Sequence, residues 1–241
     1  MVSMGMLDDN LRNYWENTQK PWGQLFYKIV WAQLNFQDLK ILDFGSGFGI
    51  TSDYLAKDNE VTAIEHNINI VESKERSITN NYTQIIGGIE KLKEQGNSVF
   101  DAVICHNVLE YIPERSEILV EFSRILKNNG ILSVMKHNKT GRILEKIVFE
   151  NNLDEAIELL NGGTSASKNF GVVDYYNAED LTECFKIEKT LGIRTFFGLP
   201  CNEVKFDRTW QDKIFDIEMK VANDEIYKNI AFFHHVILKK K

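Results

Sequence analysis

Short apolar runs alternate with longer amphipathic stretches along most of the chain. Most of the longer stretches have helical periodicity, and the one over 24–34 carries its apolar residues on a single face that is predicted to pack on a sheet. Alternating strands and helices predict an α/β fold with a doubly wound, mostly parallel seven-stranded sheet. The predicted strands lie near 40–44, 60–65, 83–87, 101–106, 131–136, 185–192 and 231–238.

The alternation is interrupted once, over residues 138–177. An amphipathic stretch over 143–160 predicts a helix, and the Gly-, Ser- and Thr-rich segment 162–167 predicts a flexible turn. We interpret 138–177 as a helical insertion that caps the functional site. Residues 1–36 are interpreted as an N-terminal lid and helix, and the whole chain as a single domain, 1–241.

The most informative segment is 41–49, an apolar strand that ends in an acid and continues into a loop with glycine at every second position. Gly45, Gly47 and Gly49 allow positive φ and a close approach of a ligand that a Cβ would block. The G-x-G-x-G spacing differs from the G-x-G-x-x-G of dinucleotide-binding loops. Asp43 would repel a pyrophosphate but suits a ligand with an ammonium and a sulfonium group, so it either binds that ligand or caps the loop.

Three later segments extend this pattern. The run 60–65 ends in Glu65, about 20 residues beyond the glycines, where an acid can accept hydrogen bonds from both hydroxyls of a ribose. The run 100–112 passes from a strand through His106 and Asn107 into an apolar helix start. The run 126–134 is read as a helix end, a C-cap at Gly130 and a buried strand. Taken singly, Glu65 is compatible with a solvated strand end and His106 with a structural role.

In this order the four segments resemble the motifs of class I S-adenosylmethionine-dependent methyltransferases. The resemblance implies a Rossmann-like fold with S-adenosylmethionine as cofactor, and it places His106 and Asn107 beside the transferring methyl group. Tyr14 is either part of a lid over the site or a core aromatic. The cofactor site is expected to comprise Lys20, Asp43, Gly45, Ser46, Gly47, Gly49, Glu65, His66, Gly88, Ile89 and His106.

The segments 23–25, 106–111 and 132–138, with the inserted helix after them, resemble the tRNA 5-carboxymethoxyuridine methyltransferases. That subgroup methylates the carboxylate of a modified wobble uridine, which makes tRNA the candidate substrate. Phe26 stands where the subgroup has a basic residue that can hold the cofactor carboxylate. Lys20 or Lys28 is the candidate replacement.

The net charge and the local charges give opposite indications about whether the substrate is acidic. The net charge of −7 and the pI near 5.4 oppose the phosphate contacts that dominate nucleic-acid affinity. Four basic residues, however, are expected at the mouth of the site. Arg142 is the favoured catalytic anion clamp, because a guanidinium grips a carboxylate in a bidentate manner; the alternative is a basic face of an amphipathic helix. The four residues are Lys136, Lys139, Arg142 and Lys146.

The acceptor decides which further residues are needed. A carboxylate is ionised at neutral pH and needs no general base, whereas a hydroxyl would need His106 or His137. A splayed RNA base would need an aromatic side chain for stacking, or these aromatics serve only packing. Besides tRNA methylation, methylation of a small molecule at oxygen or nitrogen and a non-catalytic cofactor-binding role remain open. The candidate stacking residues are Trp22, Phe170, Tyr175 and Tyr176.

Cysteine use and hydropathy limit the remaining possibilities. Three cysteines without metal-ligand spacing favour reduced thiols and no structural metal. There is neither an apolar run long enough to span a membrane nor a signal-peptide pattern. We therefore expect a cytoplasmic protein without a membrane partner.

Overall fold

The structure is a computed structural model that describes residues 7–167 and 171–241. The first residues of the predicted lid, 1–6, and the candidate stacking residue Phe170 lie outside the described residues. No helix in the described ranges is long and apolar enough to cross a membrane.

The strands reproduce the predicted order along the chain. All except β6 and β7 form one seven-stranded sheet in the order β3-β2-β1-β4-β5-β9-β8. Strand β9 is antiparallel to both neighbours, and the other pairs are parallel. The doubly wound, mostly parallel sheet is therefore confirmed. The strands are β1 (Lys40–Phe44), β2 (Glu60–Glu65), β3 (Thr83–Ile86), β4 (Phe100–His106), β5 (Leu126–His137), β6 (Ser165–Ser167), β7 (Gly171–Val173), β8 (Phe185–Ile193) and β9 (Phe233–Lys240).

Helices cover both faces of the sheet, and each face has its own apolar core. Two short 3-10 turns, Ala178–Leu181 and Glu203–Phe206, complete the described secondary structure. The α-helices are α1 (Asp9–Gln19), α2 (Pro21–Leu34), α3 (Ile50–Leu55), α4 (Ile68–Val71), α5 (Ile89–Lys93), α6 (Arg115–Ile125), α7 (Lys139–Val148), α8 (Leu153–Leu160), α9 (Arg208–Val221) and α10 (Glu225–Lys228).

Helix α2 confirms the helix predicted over 24–34. It begins at Pro21, whose fixed φ and missing N–H suit a first helical position, and it ends where Asn35 adopts a left-handed conformation. Its buried face, which includes Leu25 and Ile29, packs on the sheet beside Ile104. Other residues of α2, among them Tyr27 and Val30, line one side of the site.

Two predicted elements in the insertion were wrong. The single helix expected over 143–160 is two helices, because Asn151 takes a positive φ and the Asn152 side chain caps α8. The segment 162–167 is not wholly a flexible turn, since Ser165–Ser167 pairs with β7 in a two-stranded hairpin. Glycine and serine content alone did not reveal this pairing.

The predicted helix C-cap at Gly130 was also wrong. Helix α6 ends at Ile125, and β5 begins directly at Leu126, so Gly130 lies inside the strand. The residue with positive φ is its neighbour Asn129. A Cβ on Gly130 would lie 2.9 Å from the carbonyl oxygen of Lys127, so glycine is required there for close backbone packing.

Candidate active site

A cavity of about 970 Å³ lies at the carboxyl ends of the parallel strands, where ligands bind in open α/β sheets. It lies near the upper end of the usual volume range for ligand pockets, which is about 300–1,000 Å³. One part is lined by the glycine loop and the ends of β1 and β2, and another by aromatic side chains from α1, α2 and β9. The cavity therefore has a polar part and an aromatic part.

The glycine loop forms the polar part mainly from backbone. Gly45, Gly47 and Gly49 all have positive φ, which L side chains rarely adopt. A Cβ on Gly45 would collide with Val108, whereas the position of a Cβ on Gly47 is open. Gly45 and Gly47 line the cavity, but Gly49 faces Tyr82 instead and does not.

Glu65, at the end of β2, is held ionised beside this loop. Its carboxylate accepts hydrogen bonds from the backbone N–H groups of Gly47 at 2.8 Å and Asn67 at 2.9 Å, and it lies 3.1 Å from the His66 ring. Burial alone would raise the pKa of Glu65, but these hydrogen bonds outweigh it and lower the pKa. The predicted acid thus lines the cavity in its charged form.

Asp43, at the end of β1, lines the same cavity in a different environment. Its side chain is buried, and it accepts one hydrogen bond, from the Ser52 hydroxyl at 2.6 Å. Burial raises the pKa of Asp43 to about 6, partly offset by the Ser52 hydrogen bond, and the nearby Glu65 raises it further. A cationic ligand group beside Asp43 would relieve this desolvation.

Three buried polar atoms of cavity-lining residues have no hydrogen-bond partner among the described residues. They are Ser46 Oγ, in the glycine loop, Asn107 Oδ1, directly after β4, and His137 Nδ1, at the end of β5. Asn107 has a positive φ, and its backbone N–H donates to the Met135 carbonyl oxygen at 2.9 Å, so the tight turn after β4 holds the side chain in place. Unpaired buried polar atoms in a cavity point to a polar ligand.

Helix α1 covers the polar part. Tyr14 lines the cavity, and its ring lies 5.6 Å from that of Phe48 in the glycine loop. Its hydroxyl lies 3.4 Å from that of Tyr27 on α2. Tyr14 therefore packs in a small apolar cluster and also lines the cavity, while its role as a lid stays a prediction.

The aromatic part holds Arg194, which directly follows β8. The Arg194 guanidinium donates to Glu145 on α7 at 2.6 Å and lies 4.6 Å from the Phe232 ring. Glu145 also accepts from Arg142, so two guanidinium groups share this carboxylate. Arg142 lies 3.7 Å from Glu150 as well. The aromatic residues that line the cavity are Tyr14, Trp22, Phe26, Tyr27, Phe44, Tyr111, Phe197 and Phe233.

The two histidines that line this part are held neutral. Burial and the nearby Arg142 and Arg194 lower the pKa of His137 to about 3. Burial also lowers the pKa of His106 well below its usual value, with a smaller contribution from His235. Neither imidazole is a strong base at neutral pH.

The structure separates the predicted residues into two groups. Most of the cofactor set, together with His106, Asn107 and Tyr14, lines the cavity, but Lys20, Gly49 and Arg142 do not. Lys20 lies at a smaller surface pocket, and Lys28 lies over the Phe215 ring on the outer surface. The cavity-lining members are Asp43, Gly45, Ser46, Gly47, Glu65, His66, Gly88, Ile89 and His106.

Of the four basic residues expected at the mouth, Arg142 and Lys146 are ion-paired, whereas Lys136 and Lys139 lie over the rings of Tyr176 and Tyr175. Lys146 has a side chain only 4% exposed and contacts Glu150 and Glu155, and Arg142 is paired as described. Arg194, which the sequence analysis did not select, is the guanidinium that lines the cavity in the described part of the chain. Its position directly after a strand parallel to β1 was the available signal.

Within residues 7–167 and 171–241, no group of three or more His, Cys, Asp or Glu side chains is placed to hold a metal ion. The polar features instead suit S-adenosylmethionine: an ionised acid at the end of β2, a buried acid at the end of β1 and an open glycine loop. Fold and site together thus match one class of enzyme.

Comparison with known proteins supports that class. Residues 42–134 match the family model described as "Methyltransferase domain". A solved S-adenosylmethionine-dependent methyltransferase from Thermotoga maritima shares the fold with a TM-score of 0.62, at 15% identity and 96% coverage of both chains. The chain thus contains a methyltransferase domain over residues 42–134 with the class I fold, and S-adenosylmethionine is its cofactor.

Two relatives show where the likeness extends. The tRNA 5-carboxymethoxyuridine methyltransferase of Escherichia coli O157:H7 is 21% identical over 95% of this chain and 92% of its own length. The ubiquinone biosynthesis O-methyltransferase of Colwellia psychrerythraea is 31% identical, but the match covers only 44% of each chain. The first likeness includes the insertion, and the second covers less than half of its relative.

Proposed function

We propose that this enzyme methylates a carboxylate oxygen, and that the carboxylate belongs to a modified wobble uridine in tRNA. The observation that carries the proposal is that Arg194 and two neutral histidines, His106 and His137, line the aromatic part of the cavity. This combination suits an acceptor that arrives already ionised.

The lack of a strong base favours a carboxylate over a hydroxyl. A hydroxyl must lose its proton during the transfer, and a histidine with a strongly lowered pKa is a poor proton acceptor. A carboxylate is charged at neutral pH and needs only to be held and oriented. Arg194 can do both, because a guanidinium offers several donors in a fixed plane.

The charge around Arg194 supports anion binding there. Its carboxylate partner, Glu145, is shared with Arg142, which also lies 3.7 Å from Glu150, so Arg194 itself is paired only with a shared carboxylate. The same two arginines lower the pKa of His137, which shows that their positive field reaches the cavity. We propose that Arg194 is the substrate clamp and that Arg142 holds Glu145 in position.

The cofactor would occupy the polar part. We propose that Glu65 accepts hydrogen bonds from the ribose hydroxyls and that Asp43 interacts with the ammonium group. Ser46 Oγ and Asn107 Oδ1 have no hydrogen-bond partner among the described residues, and both atoms would form hydrogen bonds with the cofactor. Gly88 and Ile89, which line the cavity beyond β3, would border the adenine.

The mechanism then rests mainly on positioning. When bound, the cofactor supplies an electrophilic methyl group on a sulfonium. Arg194 orients the acceptor oxygen, and the aromatic walls exclude the water that would otherwise solvate the carboxylate. Helix α1, through Tyr14 and Leu11, closes the side of the cavity above the glycine loop.

The choice of tRNA is supported by the relative that matches almost the full chain, including the insertion. The test is methyl transfer from labelled S-adenosylmethionine to total tRNA isolated from a strain that lacks this gene, followed by nucleoside mass spectrometry. We expect a methylated wobble uridine whose label is released by mild alkali, because a methyl ester hydrolyses there and an ether does not. An alkali-stable product would contradict carboxylate methylation.

Removal of the proposed clamp should weaken catalysis. We expect Arg194→Gln to lower kcat/KM by roughly 10- to 100-fold, which corresponds to the loss of a charge-assisted hydrogen bond of about 1.5–3 kcal/mol. Cofactor affinity, measured by calorimetry, should stay within about twofold of the unmodified enzyme. Arg208→Gln, at an exposed site at the start of α9, is the matched control and should leave kcat/KM unchanged. Equal activity of the two variants would refute the clamp.

A second candidate is methylation of a small carboxylic acid. The favouring observation is that Arg142 and Lys146 of the insertion are ion-paired inside the protein, while the chain carries a net charge of −7. This acceptor is indicated if the purified enzyme binds S-adenosylmethionine but modifies no tRNA. A screen of small acids for alkali-labile methyl esters would then identify the substrate class.

A further inference from the structure

A continuous chain of hydrogen bonds runs from the cavity wall into the core. His106 Nε2 lies 2.8 Å from Ser133 Oγ, and Ser133 Oγ lies 2.7 Å from His235 Nε2. His235 Nδ1 lies 2.8 Å from Gln33 Oε1, and Gln33 Nε2 donates to the Gly192 carbonyl oxygen at 3.2 Å. The chain therefore joins four adjacent strands, β4, β5, β9 and β8, to helix α2.

The direction of every hydrogen bond in this chain follows from its inner end. The Gly192 carbonyl can only accept, so the Gln33 amide nitrogen must face it and the Gln33 oxygen must face His235. The Gln33 oxygen also can only accept, so His235 carries its proton on Nδ1. The orientation of the Gln33 amide and the position of the proton on His235 are thus both determined.

Burial then determines the proton positions in the outer half of the hydrogen-bond chain, from His235 to His106. His235 is fully buried, which disfavours a charged ring, so its Nε2 carries no proton and accepts from the Ser133 hydroxyl. The single O–H of Ser133 donates its hydrogen bond to His235, so Ser133 Oγ must accept a hydrogen bond from His106. His106 must therefore carry its proton on Nε2.

We infer that Gln33, His235 and Ser133 are positioning residues that hold His106 as the Nε2–H tautomer and leave its Nδ1 lone pair for the ligand. In the described ranges, none of the hydrogen bonds involves His106 Nδ1, and His106 lines the cavity. The ligand must then present an N–H or O–H donor at this point. A carbonyl or carboxylate oxygen cannot fill that role.

This chemistry has two sources in the proposed reaction. The ammonium group of S-adenosylmethionine is one donor, and an N–H of the acceptor molecule is the other. The inference depends on His106 lining the proposed methyl-transfer cavity, but the tautomer does not depend on which acceptor is used. It can be tested without turnover.

The experiment is a long-range ¹H–¹⁵N correlation spectrum of ¹⁵N-histidine-labelled protein at pH 7, with resonances assigned from His106→Asn and His234→Gln variants. We expect His106 to be the neutral Nε2–H tautomer and His235 the neutral Nδ1–H tautomer. A shift of the His106 Nδ1 resonance on adding S-adenosylmethionine alone would assign the donor to the cofactor. A shift only after adding tRNA would assign it to the acceptor.

Ser133→Ala tests the chain itself. Loss of the middle member should let His106 exchange between tautomers, and it should lower kcat/KM roughly tenfold, as expected for one lost hydrogen bond. Ser73→Ala removes another buried serine hydroxyl, away from the chain, and should change neither readout. A thermal melt of both variants shows whether they are folded before the spectra are compared.

Three results would overturn the inference. They are a His106 resonance pattern of the Nδ1–H tautomer, a charged His106 at pH 7, and an unchanged His106 tautomer in folded Ser133→Ala. Failure of methyl transfer to tRNA would count against the proposed acceptor but not against the tautomer, because the spectra require no product.

Discussion

Two acids that end neighbouring strands differ in charge because their hydrogen bonds differ. Glu65 is surrounded by three hydrogen-bond donors, which lower its pKa, whereas Asp43 receives one hydrogen bond in a buried position. Glu65 is therefore ionised across the physiological range, and Asp43 changes its protonation near pH 6. Two carboxyl groups near the ends of neighbouring strands thus differ in protonation because their surroundings differ.

Asp43→Asn should stabilise the protein at pH 8 while weakening cofactor binding. The pKa of Asp43 is about 6 in the fold and about 3.9 in an unfolded chain, so the folded state holds the proton more tightly and loses stability as pH rises from about 4 to 6. Above pH 6 the penalty is constant, up to about 3 kcal/mol. Thermal melts should show a higher Tm for the variant at pH 8 and little difference at pH 4.

Cofactor affinity provides the second measurement on this variant. We expect calorimetry to show S-adenosylmethionine binding weakened by about 10- to 100-fold, because the ammonium group loses a charged partner. Asp58→Asn, an exposed acid in the turn before β2, is the control and should leave both Tm and affinity unchanged. Unaltered affinity in Asp43→Asn would show that Asp43 only supports the loop.

At the scale of elements, the corner between α1 and α2 determines how close α1 lies to the cavity. Lys20 is the single residue between the two helices, and Gly23 packs directly against the backbone of Asn17 and Thr18. A Cβ on Gly23 would lie 2.7 Å from the Thr18 Cα, which no rotamer change can relieve. Glycine is thus required for the close approach of the two helices.

Gly23→Ala should therefore open the corner and loosen the cover formed by Tyr14. We expect cofactor affinity to fall about tenfold, since Tyr14 and Leu11 would leave the cavity wall, while the sheet stays intact. Limited proteolysis should cut the variant within α1 before the unmodified protein. Lys28→Ala, on the outer face of α2, is the control. Equal proteolysis of all three proteins would contradict this account of the corner.

Across the whole molecule, four of the five histidines are held with lowered pKa values: His106, His137, His234 and His235. Burial is the main cause in each case. In an unfolded chain these side chains take up protons near pH 6.5. The unfolded state therefore binds more protons than the folded state between about pH 6.5 and 4.

Stability should accordingly fall as the pH is lowered through this window. Asp43, Glu110 and Glu218, whose pKa values are raised by burial, act in the opposite direction, but they are three groups against four. We expect the free energy of unfolding to fall by roughly 1–2 kcal/mol per pH unit near pH 5. Chemical denaturation at pH 7, 6 and 5 measures this slope.

His234→Gln checks the origin of the slope. A glutamine amide can still donate to the Lys228 carbonyl, as His234 Nε2 does at 3.0 Å, but it takes up no proton in the unfolded state. The slope should become shallower by up to about 1.4 kcal/mol per pH unit. A stability that is flat from pH 7 to 5 in the unmodified protein would contradict the role of the buried histidines.

Local pattern determined the sheet, its strand order along the chain, helix α2 and the polar part of the cavity. These features depend on residues close in sequence: alternating apolar runs, the glycines after β1, and acids that end β1 and β2. Period and turn chemistry are local properties, so a single sequence reveals them. The two helices and the hairpin of the insertion escaped prediction because their boundaries depend on Asn151 and on pairing with β7.

Only the tertiary structure decided which charges face the ligand. Arg142 was the predicted clamp, yet it lies outside the cavity lining, and Arg194, 52 residues later in the chain and paired with the same Glu145, lines the cavity. The hydrogen-bond chain from Gln33 to His106 likewise joins residues from four separate elements. Ion pairs and tautomers depend on side chains brought together by folding, and sequence spacing carries no record of those contacts.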